Sequence, residues 1–301
     1  MEDTRLNKPV ASDQSRCLLT VASRPRLFTV HRFECQRERR LRWSSKPWLV
    51  NMVTQKRRVA LFITCLADQF FPQVGECAVE VLRRQGVEVT FNPGQTCCGQ
   101  PAFNTGFTSE AREVAARVLD LFDDADYVVA PSGSCSSMVR VFYPELFAHD
   151  PSRLKKAEKL QSRFFEFSEF LVKVLGVEDV GASFPHRVAY HDACHLLREL
   201  HIEDEPRRLL RAVRGIELVE MQDYKLCCGF GGTFSVKFPE VSLAMGQDKV
   251  QAAMRAGAEY LVANDSGCLM HLAGVIHRQS LGLKTLHLAE LLARREELPY
   301  L

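Results

Sequence analysis

Two pairs of adjacent cysteines, in QTCCGQ (95–100) and KLCCGF (225–230), raise the first chemical question of this sequence. A single thiol can be a nucleophile or a small core residue, but neighbouring thiols placed twice before glycine suggest a ligand set. The eleven cysteines stand at 17, 35, 65, 77, 97, 98, 135, 194, 227, 228 and 268. Their number is odd and no secretion signal precedes them. A disulfide framework, which belongs mainly to oxidising compartments, is therefore a poor reading. Thiolate–metal chemistry in a reducing cytoplasm is the expectation.

Eight of these cysteines repeat in order. Cys65 and Cys194 are offset by 129 residues, Cys97 and Cys227 by 130, and Cys135 and Cys268 by 133. The flanking segments repeat as well: RVALFITC with RVAYHDAC, VEVTF with IELVE, and DYVVAPSGSC with EYLVANDSGC. A further pair, FEFSEFL (165–171) and LHLAELL (286–292), follows in the same order. The chain is an internal duplication.

Short β-branched runs such as VALFI and YVVA predict strands. Amphipathic stretches such as 109–122 and 245–257 predict helices between them. Strand–helix alternation implies a parallel sheet with helices on its faces. The expected fold class is α/β, with two related lobes, each a short parallel sheet flanked by helices. The first cysteine-rich domain is placed at 58–176 and the second at 187–296. The charged stretch 150–163 predicts a surface helix in the first half only.

In a parallel sheet the carboxyl ends of the strands share one edge, where such folds build sites. Cys65, Cys97, Cys98 and Cys135 are expected to converge there, and Cys194, Cys227, Cys228 and Cys268 likewise. Four thiolates suit tetrahedral zinc or an iron–sulfur cluster. Neighbouring side chains of extended backbone point to opposite sides, so both reach one centre only through a local turn. Gly99 and Gly229 permit that turn. The wider spacing of ligand positions on a cluster eases the same difficulty. The bland alternative, eight buried small hydrophobes, does not account for the duplicated placement. Cys77, within a predicted helix and without a counterpart, is assigned to core packing.

His191, Asp192 and His195 surround Cys194 in YHDACH, whereas the first half has FITCLAD. They are candidates for proton carriage or support of a metal centre, against an ordinary role in fixing the loop. GFGGTF (229–234) lacks the spacing of a dinucleotide fingerprint, and no flavin, nicotinamide or ATP motif is evident.

Residues 1–51 hold 11 Lys/Arg against 5 Asp/Glu, and the remainder 28 against 32. A basic nucleic-acid groove across the body is not expected on that balance. The basic segment 1–51 lacks periodicity and is expected to be a disordered or targeting-like extension, or to precede a natural start at Met52. No apolar run of about 18 residues predicts a transmembrane helix.

The stretches TCCGQPAFNTG (96–106), PSGSC (131–135), LCCGFGGTFSVK (226–237) and HLAELL (287–292) carry a specific resemblance. The sequence resembles the duplicated cysteine-rich, or CCG, domain found in the cysteine-rich chain of heterodisulfide reductase. That domain also occurs in iron–sulfur subunits of glycolate and anaerobic glycerol-3-phosphate dehydrogenases. Within the group the chain is similar to the lactate utilization branch. The resemblance spans roughly 58–296 and implies an iron–sulfur oxidoreductase component of a complex oxidising L-lactate to pyruvate. The implied cofactor is a 4Fe–4S cluster, one or two per chain, with zinc in one lobe as the alternative. The implied partners are a ferredoxin-type iron–sulfur protein and a third lactate utilization subunit. The eight cysteines match the family's ligand positions. Where the family often ends in Cys-x-x-Cys, this chain has Met138 and His271, so His271 is a further candidate ligand. Two other functions stay open: a heterodisulfide-type thiol–disulfide reductase component, and a non-catalytic zinc-binding scaffold.

Overall fold

A computed structural model describes residues 57–295. The basic segment 1–51, Met52, Cys17 and Cys35 lie outside the described residues.

The two halves fold as two four-stranded parallel sheets. β1 (Arg58–Leu61), β2 (Glu88–Phe91), β3 (Tyr127–Ala130) and β4 (Phe164–Glu166) are arranged in the order β2-β1-β3-β4. β5 (Arg187–Tyr190), β6 (Glu217–Val219), β7 (Tyr260–Ala263) and β8 (Lys284–His287) repeat it as β6-β5-β7-β8. Val59 stands opposite Val89 and Tyr127, and Val188 opposite Leu218 and Tyr260, so the register repeats with the order.

The central strands β1, β3, β5 and β7 are largely apolar on both sides because both sheet faces are covered there. Val59 and Leu61 point into a core shared by the lobes, while Ala60 and Phe62 point into one confined to the first lobe. The second lobe repeats this, with Val188 and Tyr190 in the shared core and Ala189 in its own. The shared core is closed by an exchange of helices. The helix Leu288–Ala293, which ends the second lobe, packs on Pro72–Arg84 of the first. The segment Phe167–Glu169 and the π-helical turn Phe170–Val174, which end the first lobe, pack on Asp204–Arg211 of the second.

The expected helices appear at Thr108–Leu121 and within Pro239–Arg255. The charged stretch forms Pro151–Gln161, capped by the Asp150 side chain, with no counterpart between β7 and β8. In both sheets the strand order reverses between the first and third strands of the lobe. That switch point opens a crevice at the carboxyl edge. Cys65 follows β1 and Cys135 follows β3; Cys194 follows β5 and Cys268 follows β7. Each reversal thus places two of the cysteines side by side.

Candidate metal centre between the lobes

Each cysteine set is assembled from three loops. Cys65 opens the helix Cys65–Phe70, whose N-cap Thr64 accepts a hydrogen bond from the Ala67 N–H. Cys135 lies in Gly133–Ser137, where the Ser132 hydroxyl accepts from the Cys135 N–H at 3.2 Å. The adjacent pair turns between them. Gly99 has φ of 86° and Gly229 φ of 89°, left-handed conformations that glycine adopts without a Cβ penalty. Each glycine N–H donates to the sulfur two residues earlier, at 3.4 Å for Cys97 and 3.4 Å for Cys227.

The turn sends the neighbouring thiols in different directions. Cys97 Sγ lies 3.6 Å from Cys65 Sγ, while Cys98 Sγ lies 3.5 Å from Cys135 Sγ. In the second lobe Cys227 Sγ lies 3.9 Å from Cys194 Sγ, and Cys228 and Cys268 stand together with His191. A buried tyrosine fixes the first turn, its hydroxyl donating to the Cys98 carbonyl at 2.8 Å from Tyr143. One centre in each lobe is therefore reached from two sides by one doubled cysteine.

The two sets also face each other. The helix bearing Cys135 packs on Cys194–Arg198, and that beginning at Cys65 packs on Ser266–Arg278. A cavity of about 570 Å³ lies between them, and all eight thiols line it. Neither Lys nor Arg is among its lining residues. Asp265 of the second lobe crosses the junction. Its carboxylate accepts from the hydroxyls of Ser132 at 2.7 Å and Ser134 at 2.6 Å and from the Ser134 N–H at 3.2 Å. Sequence reasoning missed these three residues, since nothing in a linear pattern announces a bond between halves.

The electrostatics of the donors fit a bound cation. Hydrogen bonds from Cys65 and then Cys98 hold the Cys97 thiol well below the ordinary thiol range, and Cys194 and Cys228 do the same for Cys227. Two of their neighbours are driven the other way. Hydrogen bonding to Cys97, then burial, pushes Cys65 up, and hydrogen bonding to Cys135 and Cys97, then burial, pushes Cys98 up. Without a positive centre, one thiolate per set suppresses ionisation of its neighbours; a metal ion reverses that balance. The buried ring nitrogens of His191 and the Ser266 hydroxyl, which have no hydrogen-bond partner, adjoin the second set.

The other residues flagged in the sequence separate by placement. Asp192 is buried and held bidentately by Arg207 at 2.7 and 2.7 Å, and Arg207 also binds Glu220. It anchors the loop. His195 lines the cavity, with Nδ1 3.3 Å from Glu199. His271 Nε2 meets the Ser242 carbonyl at 3.1 Å, and its ring is not among the cavity-lining residues. Met138 is buried in the π-helical turn Met138–Phe142. Cys77 lies in Pro72–Arg84, half-buried against the shared core.

Two α/β lobes that each present four thiols define a duplicated cysteine-rich domain, and a model of that family, the CCG cysteine-rich domain, matches residues 59–140 and 188–273. Lactate utilization protein A of Exiguobacterium sp. is 48% identical over 236 residues, covering 78% of this chain and 96% of that protein. The Bacillus subtilis protein of the same name is 45% identical over 238 residues, covering 79% and 100%. A crystal structure of a hypothetical protein from Helicobacter pylori shares the fold, with a TM-score of 0.60 at 12% identity. It covers 81% of this chain, which spans 50% of that protein. The chain belongs to the CCG cysteine-rich family, with the domain present twice, in the group of the lactate utilization A proteins. Among the described residues no helix is long and apolar enough to cross a membrane.

Proposed function

We propose that this protein is an iron–sulfur oxidoreductase subunit that carries electrons within a complex oxidising L-lactate to pyruvate. The observation that carries the reading is the convergence of eight thiols, four from each lobe, on one cavity. Cys65, Cys97, Cys98 and Cys135 would hold one centre, and Cys194, Cys227, Cys228 and Cys268 the other. A bound cluster supplies one-electron storage at a potential set by charge and hydrogen bonding around it. The chain contributes the anchoring thiols, and the amides of Gly99, Gly229 and Phe230 donate to their sulfurs.

The lining also argues for relay rather than for lactate chemistry in this cavity. A 2-hydroxy acid enters as a carboxylate, and the lining offers it no Lys or Arg while presenting Asp265. Hydride removal from such an acid normally falls to an organic cofactor. The partners on this reading are a ferredoxin-type iron–sulfur protein and a third lactate utilization subunit, one of which meets the hydroxy acid.

One observation favours zinc as a second reading. The sulfur pairs at 3.5 to 3.9 Å match the edge of a tetrahedron built on ~2.3 Å zinc–sulfur bonds, about 3.8 Å. The deciding experiment is anaerobic purification, with iron, zinc and acid-labile sulfide counted per chain and EPR recorded on the same sample. Iron and sulfide in near-equal amounts, with a reducible chromophore, are expected. Zinc without sulfide, from cells with working cluster assembly, would replace the electron-carrier reading with a scaffold.

A further inference from the structure

The two lobes share a backbone but differ at one buried position beside the metal donors. Phe62 and His191 occupy the same place in the repeat, three residues before Cys65 and Cys194. Each follows the first strand of its lobe and donates its backbone N–H to the third: Phe62 N–H to Val129 O at 2.9 Å, His191 N–H to Val262 O at 2.7 Å. Both side chains are fully buried. In the first lobe the ring packs against Phe122 and Phe164, with centroids 5.7 and 5.5 Å away. In the second lobe the same slot is filled by an imidazole.

That imidazole has no protein partner. Neither Nδ1 nor Nε2 of His191 makes a hydrogen bond, although burial shuts out water. An unpaired buried polar group is costly, and a native one points to a missing partner. One of its ring nitrogens forms, with Cys228 Sγ and Cys268 Sγ, a group of donor atoms that all lie within 4.8 Å of one another. Imidazole and thiolate together are a common donor set for transition metals. The placement fills the missing role.

We propose that His191 is a nitrogen ligand of the centre in the second lobe, so that the two lobes hold chemically different centres. This rests on the reading of the cysteine sets as metal ligands. The first lobe supplies thiolates alone; the second adds a neutral imidazole. A second difference is one of charge. Lys249 is buried beside the second set, bonded to the Tyr224 carbonyl at 2.9 Å. Gly99 faces Ala111 and Val114 where Gly229 faces Ser242 and Met245, and that register puts Val118 at the place of Lys249. The imidazole brings no charge of its own, while a nearby ammonium favours the electron-rich state, which gives the second centre the higher reduction potential. Electrons entering at the first lobe would therefore settle in the second.

The test uses the full chain, purified anaerobically with natural-abundance or ¹⁵N-labelled histidine, and reads nitrogen hyperfine coupling by pulsed EPR after reduction. The expected result is strong coupling from a directly bonded nitrogen that changes with the isotope. It should be lost in His191→Phe, which places the first lobe's own residue in the slot, and kept in His271→Phe. Redox titration of His191→Phe should shift one midpoint potential and leave the other unmoved. Iron and sulfide sufficient for both lobes in the wild-type protein, with no strong histidine coupling, would overturn the ligand assignment alone, and needs no folded variant. If the second lobe holds zinc, absorption at the zinc edge replaces EPR; imidazole scattering supports the assignment and sulfur-only scattering overturns it. A wild-type chain without iron, sulfide or zinc would overturn the metal reading beneath it as well.

Discussion

Cys98 and Cys228 are the buried members of their adjacent pairs, each 2% exposed, and each lies against a thiol from a different strand end. Serine at either position keeps the volume but offers a hydroxyl that does not ionise at neutral pH, so the donor is lost. Cys98→Ser should remove the metal of the first lobe and Cys228→Ser that of the second, each taking roughly half the total. Metal analysis of both purified variants checks this, and full retention in both would sink the assignment of the sets. Cys77→Ala is the contrasting case. That thiol packs half-buried on the shared core, away from the cavity, so the metal count should hold while stability falls by about 1 kcal/mol. The eight ligand candidates were legible because their order and spacing repeat. Asp265, Ser132 and Ser134 were not, because their bonds join residues some 130 apart across a junction that no local periodicity encodes. His191 stood out by type, but only the structure reveals that Asp192 is committed to Arg207 while the ring nitrogens of His191 hydrogen-bond to nothing in the protein.

At the scale of the element, the turns holding the doubled cysteines are unequal. A Cβ on Gly229 would lie 2.5 Å from the Ser242 carbonyl, whereas one on Gly99 would meet the Ala111 carbonyl at 3.3 Å. Both positions have positive φ, so both substitutions are strained, but only the first collides with backbone. Gly229→Ala should therefore cost more than Gly99→Ala, the conformational strain alone being on the order of 1–3 kcal/mol. It should also loosen metal in the second lobe, as read from thermal unfolding and metal retention during dialysis. Equal losses would mean that the Ser242 contact relaxes freely. The helices that follow β4 and β8 are started by unlike residues at equivalent positions, Glu166 and His287. Burial raises the Glu166 carboxyl from 4.5 to about 7 against the opposing hydrogen bonds of Ser168 and the helix amides. The folded state thus holds that proton more tightly than the unfolded one. Its contribution is complete below about pH 4.5 and is lost as pH rises towards 7, by at most ~1.4 kcal/mol per unit. Wild-type stability minus that of Glu166→Gln, from urea unfolding, should fall between pH 5 and pH 8; a constant difference would count against it. The fourth strands were visible as the pair FEFSEFL and LHLAELL, and the helices by their apolar spacing. The π-helical turns Met138–Phe142 and Phe170–Val174 left no trace in that spacing, since they shift the backbone by one residue without changing which side chains are apolar.

For the molecule as a whole, duplication has not produced two independent bodies. Each lobe ends in a helical segment that packs on a helix of the other lobe, and Leu288, Leu291 and Leu292 are buried in the same core as Val59, Val81 and Leu82. Polar contacts repeat the exchange. Glu166 accepts from Asn264 at 2.9 Å in one direction, and His287 meets the Pro131 carbonyl at 3.2 Å in the other. Sequence repeats give the lobes but not this interlock, because an apolar face has the same pattern whichever sheet it covers. The functional consequence is that the cysteine sets keep a fixed separation only while both lobes are folded. Leu291→Ala therefore offers a clean test: the deleted side chain belongs to the second lobe but covers the first. Loss of a fully buried leucine should cost about 2–5 kcal/mol. Hydrogen exchange followed in β1 and β7 should then accelerate by a similar factor in both sheets, within a single unfolding transition. Slow exchange persisting in β1 beside fast exchange in β7 would mean that the lobes unfold separately, and that the cavity between the cysteine sets can open without either sheet being lost.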